Sequence, residues 1–405
     1  MSGPPRPAAD RSTGRATPWT SPRAPAEGQP MRVPAYPFDD RLTREDVAVR
    51  YDLADGGVGP VTLRQLLAAA HEEVADEVDR LLDVPLEHGQ TNGRVDVREA
   101  VATMHPGCAP DQVLITNGAT EALFLALSVL LEPGDRVVVA TPLHEPIVSA
   151  ARAIGCQIVE WPLAEAGQWR FDPDALDRLA PPGTKLILLN SPHNPTGAAL
   201  SDEELAHILA HAERIGAWVV NDEVYRDLPH WDPFTGTPAA PVADGGRRVS
   251  VASLSTVGLA GLRLGWLVGP PGLVSRCWGV RGYTSLSPPR LSQDLALTAF
   301  RARPLLLDRA AQILRSNHAA LSAWTHANPE LVRWPAPSAG PLTLLDYQPP
   351  VPADKLCTIL AEQHGVLVVP GTRYGRPHAL RLGLGGQPDD FAAGLALIKC
   401  VLTTA

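Results

Sequence analysis

A chain of 405 residues with 45% hydrophobic and 20% charged side chains has room for a large α/β unit plus a smaller one. A net charge of −9 without a basic cluster argues against nucleic acid or an anionic membrane as partner, and no apolar run reaches spanning length. Five scattered cysteines (Cys108, Cys156, Cys277, Cys357 and Cys400) lack CxxC spacing, which argues for a reduced, cytoplasmic protein with no metal.

Residues 1–30 are Pro, Ala, Gly, Ser and Arg with little to bury, and a disordered tail is expected there. Residues 31–110 then read as an N-terminal segment of a small domain and the lead-in to a large one. Within them lie a glycine loop, Gly56-Gly57-Val58-Gly59, and a helix over roughly 61–82. From residue 111 short β-branched runs alternate with helical stretches. The strand candidates are 113–116, 136–140, 157–161, 185–190, 218–222, 249–254 and 264–269; helices are expected over 119–131, 144–154 and 201–215. Ser201-Asp202-Glu203-Glu204 opens the last helix with a capping-box pattern. Such alternation predicts an α/β fold, a mostly parallel sheet with helices on both faces, over 111–290. Residues 291–405 read as a connecting helix, spanning roughly 290–326, and a smaller α+β domain.

Three motifs sit where open sheets bind ligands, at the carboxyl ends of strands. Asn117-Gly118-Ala119-Thr120 follows a strand and opens a helix, a junction whose free N–H groups suit a phosphate; alone, such a turn is usually only a turn. Asn194, in Ser191-Pro192-His193-Asn194-Pro195-Thr196-Gly197, reads equally as a turn residue, and Asp222 as a helix N-cap. Their order with Ser253-Leu254-Ser255-Thr256 and Arg263 is far more specific than any one of them.

In that order the chain resembles the class I/II aminotransferases of pyridoxal phosphate (PLP) fold type I, over roughly residues 50–400. The resemblance implies that Asp222 pairs with the pyridinium nitrogen and that Asn194 and Tyr225 hydrogen-bond the ring hydroxyl. It implies that Ala119, Thr120, Ser253, Ser255 and Arg263 hold the phosphate, and that Arg381 receives a substrate carboxylate, a geometry its guanidinium fork suits. The Gly57 loop is similar to the loop that closes over substrate, notably in the subgroup containing capreomycidine synthases. A homodimer with its site at the subunit interface is implied as well.

Three positions depart from the family pattern. Thr256 stands where the family has its Schiff-base lysine, and the interval from Thr256 to Arg263 is one residue short. The chain holds three lysines, Lys185, Lys355 and Lys399, none of them near this loop. His144 takes the place of the aromatic ring that stacks on the cofactor, and His88 that of a tyrosine reaching the neighbouring subunit's phosphate. Each histidine reads either as a packing substitute or as a source of acid–base chemistry near neutral pH.

A threonine hydroxyl neither forms a stable imine nor serves as a base at neutral pH. The expectation is therefore PLP or pyridoxamine phosphate bound without a covalent link, or captured as an external aldimine with an amino acid. Catalytic candidates are His144, Thr256 and Tyr225. Elimination, cyclisation or condensation on an amino acid or its PLP adduct fits better than ordinary transamination, with a role in specialised metabolism. The alternatives are a non-catalytic binding partner and an enzyme that reuses the cleft without any cofactor.

Overall fold

In a computed structural model the described residues are 48–404, apart from 71–72, 166–168, 229–245 and 350. The expected tail over 1–30 lies outside them.

Seven strands form one sheet, in spatial order Val113–Thr116, Gly265–Val268, Arg248–Ser253, Trp218–Asp222, Thr184–Asn190, Arg136–Thr141, Gln157–Pro162. Only Gly265–Val268 runs antiparallel to its two neighbours; the other pairings are parallel. The strands are short, β-branched and buried on both faces, as a sheet sandwiched by helices requires. One face carries Leu123, Leu127, Val148 and Leu186, and the other Trp161, Phe171, Ile187 and Ile208. At about 1.5–3 kcal/mol per fully buried large side chain, these two layers supply the main hydrophobic stabilisation of this half.

A second sheet of four antiparallel strands, ordered Val369–Pro370, Ala379–Gly383, Leu342–Tyr347, Val332–Arg333, forms the smaller α+β part. Its core includes Leu53 and Val58 from the beginning of the described chain, and Tyr51–Asp52 pairs in parallel with Val366–Leu367. The amino-terminal segment is thereby built into the smaller part.

The seven expected strands and three expected helices are present. Two helices come out divided. The span 61–82 becomes Leu63–Ala69 and Val74–Leu82. The connection over 290–326 becomes Arg290–Arg301 and Arg303–His326, broken at Ala302 because Pro304 has no N–H to continue the ladder and sits instead in a first turn. The capping box at Ser201 is made in full, with the Ser201 hydroxyl accepting from Glu204 N at 3.2 Å and the Glu204 carboxylate from Ser201 N at 2.8 Å.

Candidate functional site

Strand register decides what meets what. Asn190, Asp222 and Val251 lie abreast in adjacent strands, and so do Ser253, Gly265 and Thr116. The loops leaving these carboxyl ends therefore converge.

At one end of the cleft, Gly118 precedes helix Ala119–Leu130 with φ 86 and provides no side-chain cap, so the first-turn N–H groups of Ala119 and Thr120 have no acceptor from it. Gly265 packs against this turn; a Cβ there would lie 2.7 Å from Ala119 N. Arg263 is held at φ 49, a conformation costly for a residue with a Cβ. That bend brings its guanidinium over the turn, with Nη1 donating to Ala260 O at 3.2 Å and Nη2 to Asn117 O at 3.5 Å. Glycine suits position 118 because its φ is 86, and a Cβ there would also sit 2.6 Å from Arg263 Nη2. The Ser253 and Ser255 hydroxyls meet at 2.5 Å. Donors and positive charge thus gather where an anion would sit, and Arg263 has no carboxylate partner among the described residues.

Asp222 lies deeper, at the end of its strand. Its carboxylate accepts Val224 N at 3.3 Å and faces no cation among the described residues. Burial, with Glu223 next to it, pushes its pKa up to about 7. Asn194 is anchored by its own N–H, donated to Asn190 Oδ1 at 2.7 Å, while its buried Oδ1 has no protein partner. Burial holds the Tyr225 phenol protonated; a Cβ on Gly56 would lie 3.3 Å from that hydroxyl.

Arg381 stands in the smaller sheet, with Leu344 and Val369 as register partners. Its Nη2 donates to Ala54 O and its Nη1 to the Tyr374 hydroxyl at 3.4 Å, while Nε is buried without a partner. Two neutral oxygens orient this buried cation, which makes no close ion pair among the described residues, although the Asp52 carboxylate feels its charge.

His144 precedes helix Glu145–Ile154. Burial, then the Arg381 and Arg373 cations, push its pKa down to about 3, so the ring is neutral at physiological pH. Thr256 is buried, and its hydroxyl donates to Val224 O at 2.7 Å. Its carbonyl accepts Val58 N at 2.9 Å, and a Cβ on Gly57 would lie 3.3 Å from Thr256 Cα. The loop carrying Gly57 therefore rests directly on Thr256, and a cavity of about 30 Å³ adjoins Thr256, Ser253 and Glu223. His88 is exposed on the loop between Val74–Leu82 and Val95–Thr103.

Twelve of the thirteen sequence candidates are thus arranged around the converging loops, and His88 lies apart on the surface of this chain. Sequence reading passed over Tyr374, Arg373 and the carbonyls of Ala54 and Val224. Backbone acceptors leave no trace in residue type, and the first two became relevant only through folding.

The sheet order, the carboxyl-end site and the small antiparallel sheet define an α/β protein of PLP-dependent transferase fold type I. The chain belongs to the class I and II aminotransferase family, which it matches over residues 70–397, and that family uses PLP. It is 32% identical to the capreomycidine synthase of Streptomyces vinaceus, over 94% of this chain and 97% of that protein. Among solved structures it is similar to the PLP-dependent cyclase OrfR, with 34% identity, a TM-score of 0.82, and coverage of 95% of this chain and 100% of that one. A PLP-dependent aminotransferase from Streptococcus suis superposes with a TM-score of 0.85 at 28% identity, covering 92% and 98% of the two chains.

Proposed function

We propose that this protein is an enzyme that holds PLP or pyridoxamine phosphate without a covalent link. Its substrate is an amino acid, free or already joined to the cofactor, and the reaction is elimination, cyclisation or condensation rather than ordinary transamination. The observation carrying this reading is Asp222, a buried carboxylate with no cation beside it among the described residues, in the same cleft as a cluster of donors suited to an anion. A pyridinium at Asp222 with a phosphate at Ala119, Thr120, Ser253, Ser255 and Arg263 would satisfy both ends. A capreomycidine synthase and a PLP-dependent cyclase among the relatives support chemistry other than amine exchange.

PLP, when bound, supplies an electron sink for negative charge developing at a substrate carbon. Asp222 would keep the ring nitrogen protonated, Asn194 and Tyr225 would orient the ring hydroxyl, and Gly57 with its loop would cover the site. Arg381 would fix the substrate carboxylate, and that anion would offset part of the charge that suppresses His144. The imidazole would then take the proton for which Thr256, in the lysine's place, is too weak a base. A second reading, a binding partner without turnover, draws on His144 being so poor a base in the present arrangement.

The deciding experiment is an absorption spectrum of the protein with PLP, then with PLP plus each common amino acid. PLP retained without a covalent link, with a new absorption band on adding a particular amino acid, supports the proposal. Failure to retain PLP under every condition would sink it.

A homodimer belongs to the same reading. Leu82, Leu86, Trp278 and Tyr283 are exposed, and Trp278 Nε1 donates to Thr91 Oγ1 at 2.9 Å, tying helix Pro271–Arg281 to the loop that carries His88. Exposed apolar side chains on these elements suit a second copy, which would bring His88 towards the other subunit's phosphate. Sedimentation as a monomer at micromolar concentration would contradict it.

A further inference from the structure

Arg381 is oriented by Ala54, in the loop after Tyr51–Asp52, and by Tyr374, in the turn that precedes its own strand. Tyr374 ends the short turn Gly371–Tyr374, and its ring packs on the large-sheet layer that holds Trp161, Trp169 and Phe171. That layer also receives Leu344, the register partner of Arg381. Two residues beyond Tyr374, Arg376 is clamped between the two halves of the molecule. Its guanidinium donates to Glu165 on the large-sheet side at 2.9 and 3.2 Å, and to Asp346 of the smaller sheet at 2.8 and 3.2 Å. Its Cζ lies 5.1 Å from the centre of the Trp169 ring. Trp169 itself is held at φ 62, and Arg333 also reaches Glu165. A single exposed ion pair contributes little, but one guanidinium shared between two carboxylates and an indole face fixes a position. Arg376 N also donates to Gly371 O at 2.9 Å, so the clamp anchors the turn whose last residue is Tyr374.

We propose that Tyr374 is a positioning residue for Arg381, held in place across the two halves of the molecule by Glu165, Arg376 and Trp169. The large-sheet half thereby controls the aim of a guanidinium that belongs to the smaller sheet. This rests on the reading of Arg381 as the carboxylate receiver. When the halves are drawn together, Arg381 points its free Nε edge at the carboxylate; when Glu165 releases Arg376, Tyr374 swings out and Arg381 loses one of its two orienting oxygens.

The test is calorimetric titration of the PLP-loaded protein with maleate, a dicarboxylate without an amine, for wild type, Arg381→Ala, Tyr374→Phe, Glu165→Gln and the Tyr374→Phe/Glu165→Gln double variant. Arg381→Ala should abolish binding. Tyr374→Phe and Glu165→Gln should each weaken it by about 5-fold, the size of one modest hydrogen bond, with PLP affinity unchanged. The double variant should be no worse than Tyr374→Phe alone, because Glu165 acts through Tyr374. Independent, multiplying effects would overturn the positioning role, and so would maleate affinity indifferent to both single changes while Arg381→Ala abolishes it. Undiminished maleate binding in Arg381→Ala would overturn the carboxylate reading and this proposal with it. Thermal unfolding of each variant separates a loss of aim from a loss of fold.

Discussion

At one end of the cleft, several groups gather with no carboxylate set against Arg263 among the described residues: the uncapped start of helix Ala119–Leu130, two seryl hydroxyls bonded to each other, and Arg263 in a costly backbone conformation. Around Thr256 and His144 the opposite holds. The Thr256 hydroxyl is already donated to a carbonyl, and His144 has its basicity suppressed by burial and two arginines. In the proposed reading, cofactor grip and proton transfer fall to different groups, the first to the helix start, the serines and Arg263, the second to His144. The first can be complete in a fold where the second depends on what the substrate brings.

The change that presses hardest on this contrast is Thr256→Lys. It should create a covalent link to PLP that borohydride makes permanent and mass spectrometry places on residue 256, an all-or-none gain. Absence of any link would mean that residue 256 does not face the cofactor.

His144→Phe keeps a ring at that position and removes its nitrogen. With the amino acid identified by the spectral screen, turnover should fall by about 10²–10⁴-fold with cofactor affinity retained, the range for loss of a positioned base. Full turnover in this variant would move the proton transfer elsewhere.

Asp222→Asn should weaken PLP binding by about 10–100-fold, the worth of a charge-assisted hydrogen bond. The same substitution should stabilise the cofactor-free protein at high pH. Between the unfolded value of 3.8 and about 7, the folded state keeps a proton on Asp222 that the unfolded chain releases. Stability from this group is therefore present at low pH and falls as pH rises through that window, by on the order of 4 kcal/mol. Denaturant unfolding at pH 5 and pH 8, without cofactor, should show that pH dependence in wild type and much less of it in Asp222→Asn.

The sheet was legible in advance because its strands are compact β-branched runs separated by helical periodicity, and the meeting of Gly118, Ser253, Ser255 and Arg263 because they keep motif order, although Arg263 comes one residue early. The division at Ala302 was visible in Pro304 but outweighed by the helical pattern on either side of it. Tyr374 and Glu165 were illegible for a different reason. Their relation to Arg381 is made by packing across two halves of the molecule more than two hundred residues apart in part, and no local pattern encodes such a meeting. His144 was read as a residue type, whereas its electrostatic suppression depends on arginines that arrive from the far end of the chain.

The fit of Arg263 over Gly118 means that one absent methyl group sets the reach of a charge. Adding it, as alanine would, presses on the guanidinium and strains a turn held at φ 86, while every ionisable group in the protein is retained. Position 118 thus couples the shape of the turn to the placing of the Arg263 charge.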